Sequence, residues 1–123
     1  LEFRRVLFRS PYAEVGGDTL ELAVDPSVVS TAKAAKTAGA KVVLVLIAGR
    51  PQILGELATL ADAIVMTWLP GSEGAGVADV LFGNAAPTGK LPCSWPRSMA
   101  QIPINVGDAN YDPLYPIGHG LTW

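Results

Sequence analysis

The stretch Ala63-Ile64-Val65-Met66-Thr67-Trp68, followed at once by Leu69-Pro70-Gly71-Ser72-Glu73-Gly74-Ala75-Gly76, constrains the fold more than any other part of the chain. The apolar run is too short to hold as a lone helix, so it reads as a buried strand. Pro70 brings no N–H to a sheet ladder and Gly71 turns freely, which breaks the strand at a corner. Val77, Val80 and Leu81 then recur at helical spacing, and Gly83 supplies a stop. Strand, glycine-rich corner and short helix make half of a βαβ unit. In open α/β sheets such corners lie at the carboxyl ends of strands, where ligands bind.

The run Lys41-Val42-Val43-Leu44-Val45-Leu46-Ile47 is the clearest strand, and its β-branched character predicts burial on both faces, as in a parallel sheet. Before it, Asp25-Pro26 predicts a helix start: Asp caps, and Pro lacks only an N–H that would be unpaired anyway. The helix is expected over 27–38, with Val28, Ala32 and Ala35 on one face and Gly39 as its end. Leu20, Leu22 and Val24 alternate with Thr19, Glu21 and Ala23, which suggests a short strand or extended edge. Ala48-Gly49-Arg50-Pro51 closes the long strand, and a further short helix is expected over 53–60. Strands alternating twice with helices predict an α/β fold with a mostly parallel sheet and right-handed crossovers. Beyond Gly83, Pro87, Pro92, Pro96, Pro103, Pro113 and Pro116 leave no room for more than a turn or two of helix. This part reads as an irregular Pro-rich C-terminal tail that wraps over the sheet and toward a neighbour.

Composition narrows the function classes. A chain of 123 residues holds one domain or less, and no apolar run approaches the roughly 20 residues a membrane span needs. The net charge of −2 gives no reason to expect nucleic acid as a partner, and none is expected, nor a membrane. Cys93 stands alone, which excludes a disulfide framework and a multi-cysteine metal site and favours a core role over a nucleophilic one. Asp108 and Asp112 lack the carboxylate density of a calcium loop, so turn and cap duty is the reading for both. The Gly71–Gly76 corner lacks a Walker lysine and dinucleotide spacing, and Glu73 would repel an anion. A tight corner with Glu73 complementing the helix dipole is the better reading. No cofactor and no metal are expected.

Residues 1–10, Leu1-Glu2-Phe3-Arg4-Arg5-Val6-Leu7-Phe8-Arg9-Ser10, match one reading frame of a common sequencing-adapter oligonucleotide. They are read as a cloning or assembly scar and set aside from fold reasoning. Without Arg4, Arg5, Arg9 and Glu2 the remainder, 11–123, carries a charge of about −4 and still no basic patch. The natural protein is then expected to begin upstream, so the chain is expected to be a fragment. Strands missing beside 42–47 would leave a bare sheet edge, with self-association as the expected cost.

Several ordered motifs together resemble one family. They are Trp68-Leu69-Pro70-Gly71-Ser72-Glu73-Gly74, Ala78-Asp79-Val80-Leu81-Phe82-Gly83, and Pro87-Thr88-Gly89-Lys90-Leu91-Pro92. Gln101-Ile102-Pro103-Ile104-Asn105 and Tyr115-Pro116-Ile117-Gly118-His119-Gly120-Leu121 follow in order, and Ala48-Gly49-Arg50-Pro51 precedes them. The pattern is similar to the C-terminal domain of glycoside hydrolase family 3. Val106-Gly107-Asp108-Ala109-Asn110-Tyr111-Asp112-Pro113-Leu114 resembles the branch of plant-type β-glucan exohydrolases and their bacterial relatives.

That resemblance implies a three-layer α/β sandwich, here partial, from a retaining, exo-acting β-glycosidase that hydrolyses terminal non-reducing β-D-glucosyl residues. It implies a β-glucoside or β-glucan oligosaccharide as substrate, a secreted or periplasmic location, and a nucleophilic Asp in an N-terminal barrel domain that nothing here matches. Retaining chemistry needs two carboxyls roughly 5–5.5 Å apart, so the chain alone is expected to be inactive. The acid/base loop of this branch reads Gly-Glu-any-Pro-Tyr-any-Glu, then Gly-Asp. Pro11, Tyr12, Glu14, Gly17 and Asp18 match its later part. The first Glu, the one usually assigned as acid/base, falls at Arg9 inside the suspected scar; an arginine cannot supply a proton near neutral pH, so the chain is expected to be cut at the acid itself. Glu14 is the matching carboxylate left on the loop and the catalytic candidate; the reading favoured over that is support of a neighbouring group or contact to sugar hydroxyls. Tyr12 is the substrate-binding candidate, with an anchoring role as its alternative. His119 takes a place where the family often has an aromatic, so packing is its reading. Of the tryptophans able to stack on sugar, Trp68 is assigned to the core because it closes a strand; Trp95 and Trp123 stay open. Two rival functions remain: a non-catalytic carbohydrate-binding or interaction module of α/β type, and a nucleotide-binding α/β domain.

Overall fold

The computed structural model describes residues 19–121. The scar reading of 1–10, the acid/base loop with Tyr12 and Glu14, and Trp123 all lie outside the described residues. The elements are α1 (Pro26–Thr37), β1 (Val43–Ile47), α2 (Leu57–Leu60), β2 (Ala63–Trp68), α3 (Gly74–Leu81) and a 3-10 turn at Met99–Gln101. The chain is thus mixed α/β, in two compact units divided between Leu69 and Pro70. No helix among the described residues is long and apolar enough to cross a membrane.

In the first unit α1 forms where its caps dictate. The Asp25 carboxylate accepts a hydrogen bond from Ser27 N at 2.8 Å, and Pro26 occupies the first turn. Val28, Ala32 and Ala35 form the buried stripe, as their spacing predicts. Gly39, at φ +77°, ends the helix, and its N–H donates to Lys36 O. The core is completed by Val24, Val42, Leu44, Leu46, Ala48, Leu54 and Leu57.

β1 and β2 pair in parallel, with Val43 opposite Ala63 and Val45 opposite Val65. Burial along β1 alternates: Leu44 and Leu46 are sealed, whereas Val43, Val45 and Ile47 are half-buried. The expected burial of this strand on both faces is therefore complete on one face only. Residues 53–60 differ more. Only Leu57–Leu60 is helical, because Ile53 forms a parallel bridge with Ala23 instead. Its N–H donates to Leu22 O at 2.9 Å and its carbonyl accepts from Val24 N at 3.3 Å. Gly55, at φ +51°, then turns the chain into α2. Tertiary pairing of a β-branched residue has overridden the helical spacing, and the extended edge near 20–24 is realised as that one bridge.

Asp62 ties three elements together. Its carboxylate accepts from Val42 N at 2.8 Å, Lys36 Nζ at 2.9 Å and Lys41 Nζ at 3.2 Å, while its own N–H donates to Val42 O. The end of α1, the start of β1 and the turn into β2 thus converge on one anion.

In the second unit α3 ends at Gly83, φ +81°, as the sequence requires. The proline-rich stretches on either side of residue 100 pair with one another. Leu91 N donates to His119 O and Gly118 N to Leu91 O, each at 2.8 Å. Trp95 and Tyr115 form an antiparallel bridge, with Trp95 2% exposed and its ring edge-on to Tyr115 at 6.4 Å. A side chain at Gly120 would run into the Gly89 carbonyl, so the close approach of these segments requires glycine there.

The Val42 N–H and the two ammonium groups hold the Asp62 carboxyl well below its ordinary value of 3.8. A carboxyl depressed on folding contributes stability that is full above the unfolded value and fades as pH falls through it. Asp62→Asn is therefore expected to lower the melting midpoint by a steady margin between about pH 7 and 5. Below about pH 4 that margin should shrink, as thermal melts by circular dichroism will read. A margin that holds constant or widens toward pH 3 would contradict this role.

Candidate functional site

Both parallel strands present their carboxyl ends on one rim of the first unit. β1 leaves it through Ala48-Gly49-Arg50-Pro51 and β2 through Trp68-Leu69. The ladder does not reach this rim in register: Leu46 faces Met66, but Ile47 faces Trp68, so Thr67 is an extra residue on β2. Its hydroxyl donates to Leu46 O at 2.8 Å, and Ala48 N donates to Trp68 O at 3.1 Å, which satisfies the backbone across the slip. Such a bulge bends a strand, ends its pairing and re-aims the side chain beside it.

Trp68 carries the backbone consequence. It sits at φ +54°, the one positive φ outside glycine among the described residues. The left-handed region crowds Cβ against the backbone and costs about 1–3 kcal/mol for a bulky residue. The indole is half-buried and Leu69 beside it is 42% exposed, so Trp68 stands at the rim rather than in the core where its sequence position put it. The bulge is the reason. Its signal in the sequence is the lone hydroxyl of Thr67 inside an otherwise apolar run.

The other singled-out residues resolve into local roles. Glu73 holds the N-terminal boundary of α3, and its carboxylate accepts from Ser72 Oγ at 3.0 Å. Gly71, at φ +56°, makes the corner before it. His119 stacks on Tyr115 with ring centroids 4.8 Å apart and planes at 17°, a packing role as expected. Asp108 closes a turn by accepting from Asn105 N at 2.7 Å. Asp112 departs from its turn-and-cap reading: its carboxylate pairs with Arg97 Nε at 3.2 Å, and its carbonyl accepts from Gln101 Nε2. Cys93 is half-buried, and burial pushes its thiol up, away from the reactive thiolate. Among the described residues no group of three or more His, Cys, Asp or Glu is placed to hold a metal ion.

A parallel α/β unit with loops gathered at the carboxyl ends of its strands is the kind of body that carries a ligand rim. The family described as glycosyl hydrolase family 3 C-terminal domain matches residues 6–123, and the chain belongs to that family. It is 43% identical over 112 residues to a periplasmic β-glucosidase of Salmonella typhimurium, an alignment covering 73% of this chain and 15% of that protein. A β-xylosidase of Formosa agariphila is 33% identical over 88% of this chain and 17% of its own length. The crystal structure of an exo-1,3/1,4-β-glucanase from a Pseudoalteromonas species superposes with a TM-score of 0.85 at 41% identity, over 93% of this chain and 15% of that one. The chain therefore spans about one-sixth of the length of the relatives it matches.

Thr67 offers a direct check of the bulge. Thr67→Val keeps the β-branched shape but leaves the part-buried Leu46 carbonyl without its hydroxyl donor. The loss expected in chemical denaturation is about 1 kcal/mol. A variant as stable as the parent would mean the hydroxyl does not hold the slipped register.

Proposed function

We propose that this chain is part of the second domain of a retaining, exo-acting β-glucosidase, a partial three-layer α/β sandwich that works against an N-terminal barrel. The observation that carries this is 41% identity to the exo-1,3/1,4-β-glucanase along nearly the whole chain, with a matching fold. The name of the Salmonella relative supports terminal β-D-glucosyl residues as the substrate and a periplasmic or secreted location. In this reading residues 1–10 are a scar ahead of the authentic sequence. The barrel supplies the nucleophilic Asp, and the loop holding Tyr12 and Glu14 faces the sugar. Tyr12 contacts the bound glucoside.

Glu14 donates the proton to the departing glycosidic oxygen and then takes one from water, the two steps retention requires. Its carboxyl must stand about 5–5.5 Å from the barrel nucleophile for that exchange. The chain alone then lacks half of the reacting pair.

The test compares the 123-residue chain with residues 11–123 joined to the natural upstream sequence that carries the barrel. Only the joined protein should release glucose from an aryl β-glucoside. Within it, Glu14→Gln should slow cleavage of a laminari-oligosaccharide by about 10²–10⁴-fold. A dinitrophenyl β-glucoside, whose leaving group needs no proton, should be released far less impaired. Equal loss on both substrates would remove Glu14 from the acid role, and glucose release by the chain alone would overturn the two-domain reading.

A further inference from the structure

We propose that the Trp68 indole is a stacking platform for a glucopyranose ring at the carboxyl rim of the β1–β2 pair. The proposal rests on the β-glucosidase reading above and adds to it a sugar-contacting residue on this chain. The backbone at Trp68 asks for glycine. At φ +54° a residue without Cβ is free of strain, yet the chain places its largest side chain there. Strained backbone persists where the surroundings enforce it, and it gathers at binding sites. Here the surroundings are visible: the Thr67 hydroxyl on Leu46 O and the Ala48 N–H on Trp68 O hold the slip.

The location is independent of the strain. The bulge falls at the carboxyl end of both parallel strands, the edge at which α/β sheets bind ligands. Trp95 supplies the contrast within the same chain. It is 2% exposed, lies in a regular antiparallel bridge and packs its ring edge against Tyr115. Trp68 is half-buried, and Leu69 beside it is exposed. A β-glucopyranosyl ring carries its hydroxyls equatorially, so its axial C–H bonds form an apolar face. That face matches the flat indole surface, the widest that a side chain offers.

The experiment titrates laminaribiose into the 123-residue chain carrying Trp123→Phe, so that Trp68 and Trp95 alone emit. A saturable shift in indole emission is expected. Trp68→Gly should abolish it while the melting midpoint holds or rises, since the strain at φ +54° is relieved. Trp68→Asn, which tolerates the same backbone, is the second variant. Circular dichroism melts, which read α1 and the β1–β2 pair of the first unit, report that each variant is folded. No saturable shift in the parent chain, or the same shift in either folded variant, would overturn the proposal. So would unfolding of both variants, which would make the indole a packing group. Hydrolysis by the joined protein with a silent Trp68 would reject this inference and spare the β-glucosidase reading; a responsive Trp68 without hydrolysis would do the reverse.

Discussion

The parallel pairing of β1 with β2 is the constraint on which the first unit depends. Parallel neighbours cannot be joined by a tight hairpin, so the chain must travel from Ile47 back to Ala63 before the ladder can close. That return path carries the Ile53 bridge, the Gly55 turn and α2, and it buries Leu54 and Leu57 on the way. At the amino end the register is set by Asp62, whose carboxylate and N–H both engage Val42. From that end the pairs run in register through Leu46 and Met66, and the slip lies at the other end. There Thr67 becomes the extra residue and Trp68 takes the left-handed backbone. The same ladder is thus tied by an ion cluster at one end and slips at the other.

Much of this was legible in the sequence where the cause is local. The Asp25-Pro26 start, the buried Val28, Ala32 and Ala35, and the glycine stops at 39 and 83 each depend on a few adjacent residues. Both strands were legible too, since a short β-branched run has few other uses. What escaped depends on partners far along the chain. Ile53 left its helical pattern because Leu22 and Val24 offered it a ladder. The bulge is a property of two strands together, and its one trace in the sequence is the Thr67 hydroxyl inside an apolar run. Asp112 looked like a turn residue until Arg97 met it from a distance in sequence. Of the two site residues the sequence points to, Tyr12 and Glu14, both lie outside the described residues, so the site's chemistry rests on motif and kinship.

Beyond α3, the second unit shows how prolines shape structure with little regular secondary structure. Fixed φ angles and missing N–H groups at the prolines interrupt helix and long ladder. Backbone donors at Leu91, Trp95, Leu114 and Gly118 join the two stretches, and the Trp95 indole is buried. Gly120 permits the approach, and Tyr115 and His119 stack on one another within the returning stretch. Membership of glycosyl hydrolase family 3 places this clasp in a domain whose relatives include both a β-glucosidase and a β-xylosidase.

The central claim is that this domain serves a retaining glucosidase, and stereochemistry tests it most directly. Proton NMR of the barrel-joined protein acting on an aryl β-glucoside, whose aglycone is not a sugar, in its first minutes reads the anomer released before mutarotation. The account predicts β-glucose first, with the α-anomer appearing later; α-glucose as the first product, or no free glucose at all, would contradict it.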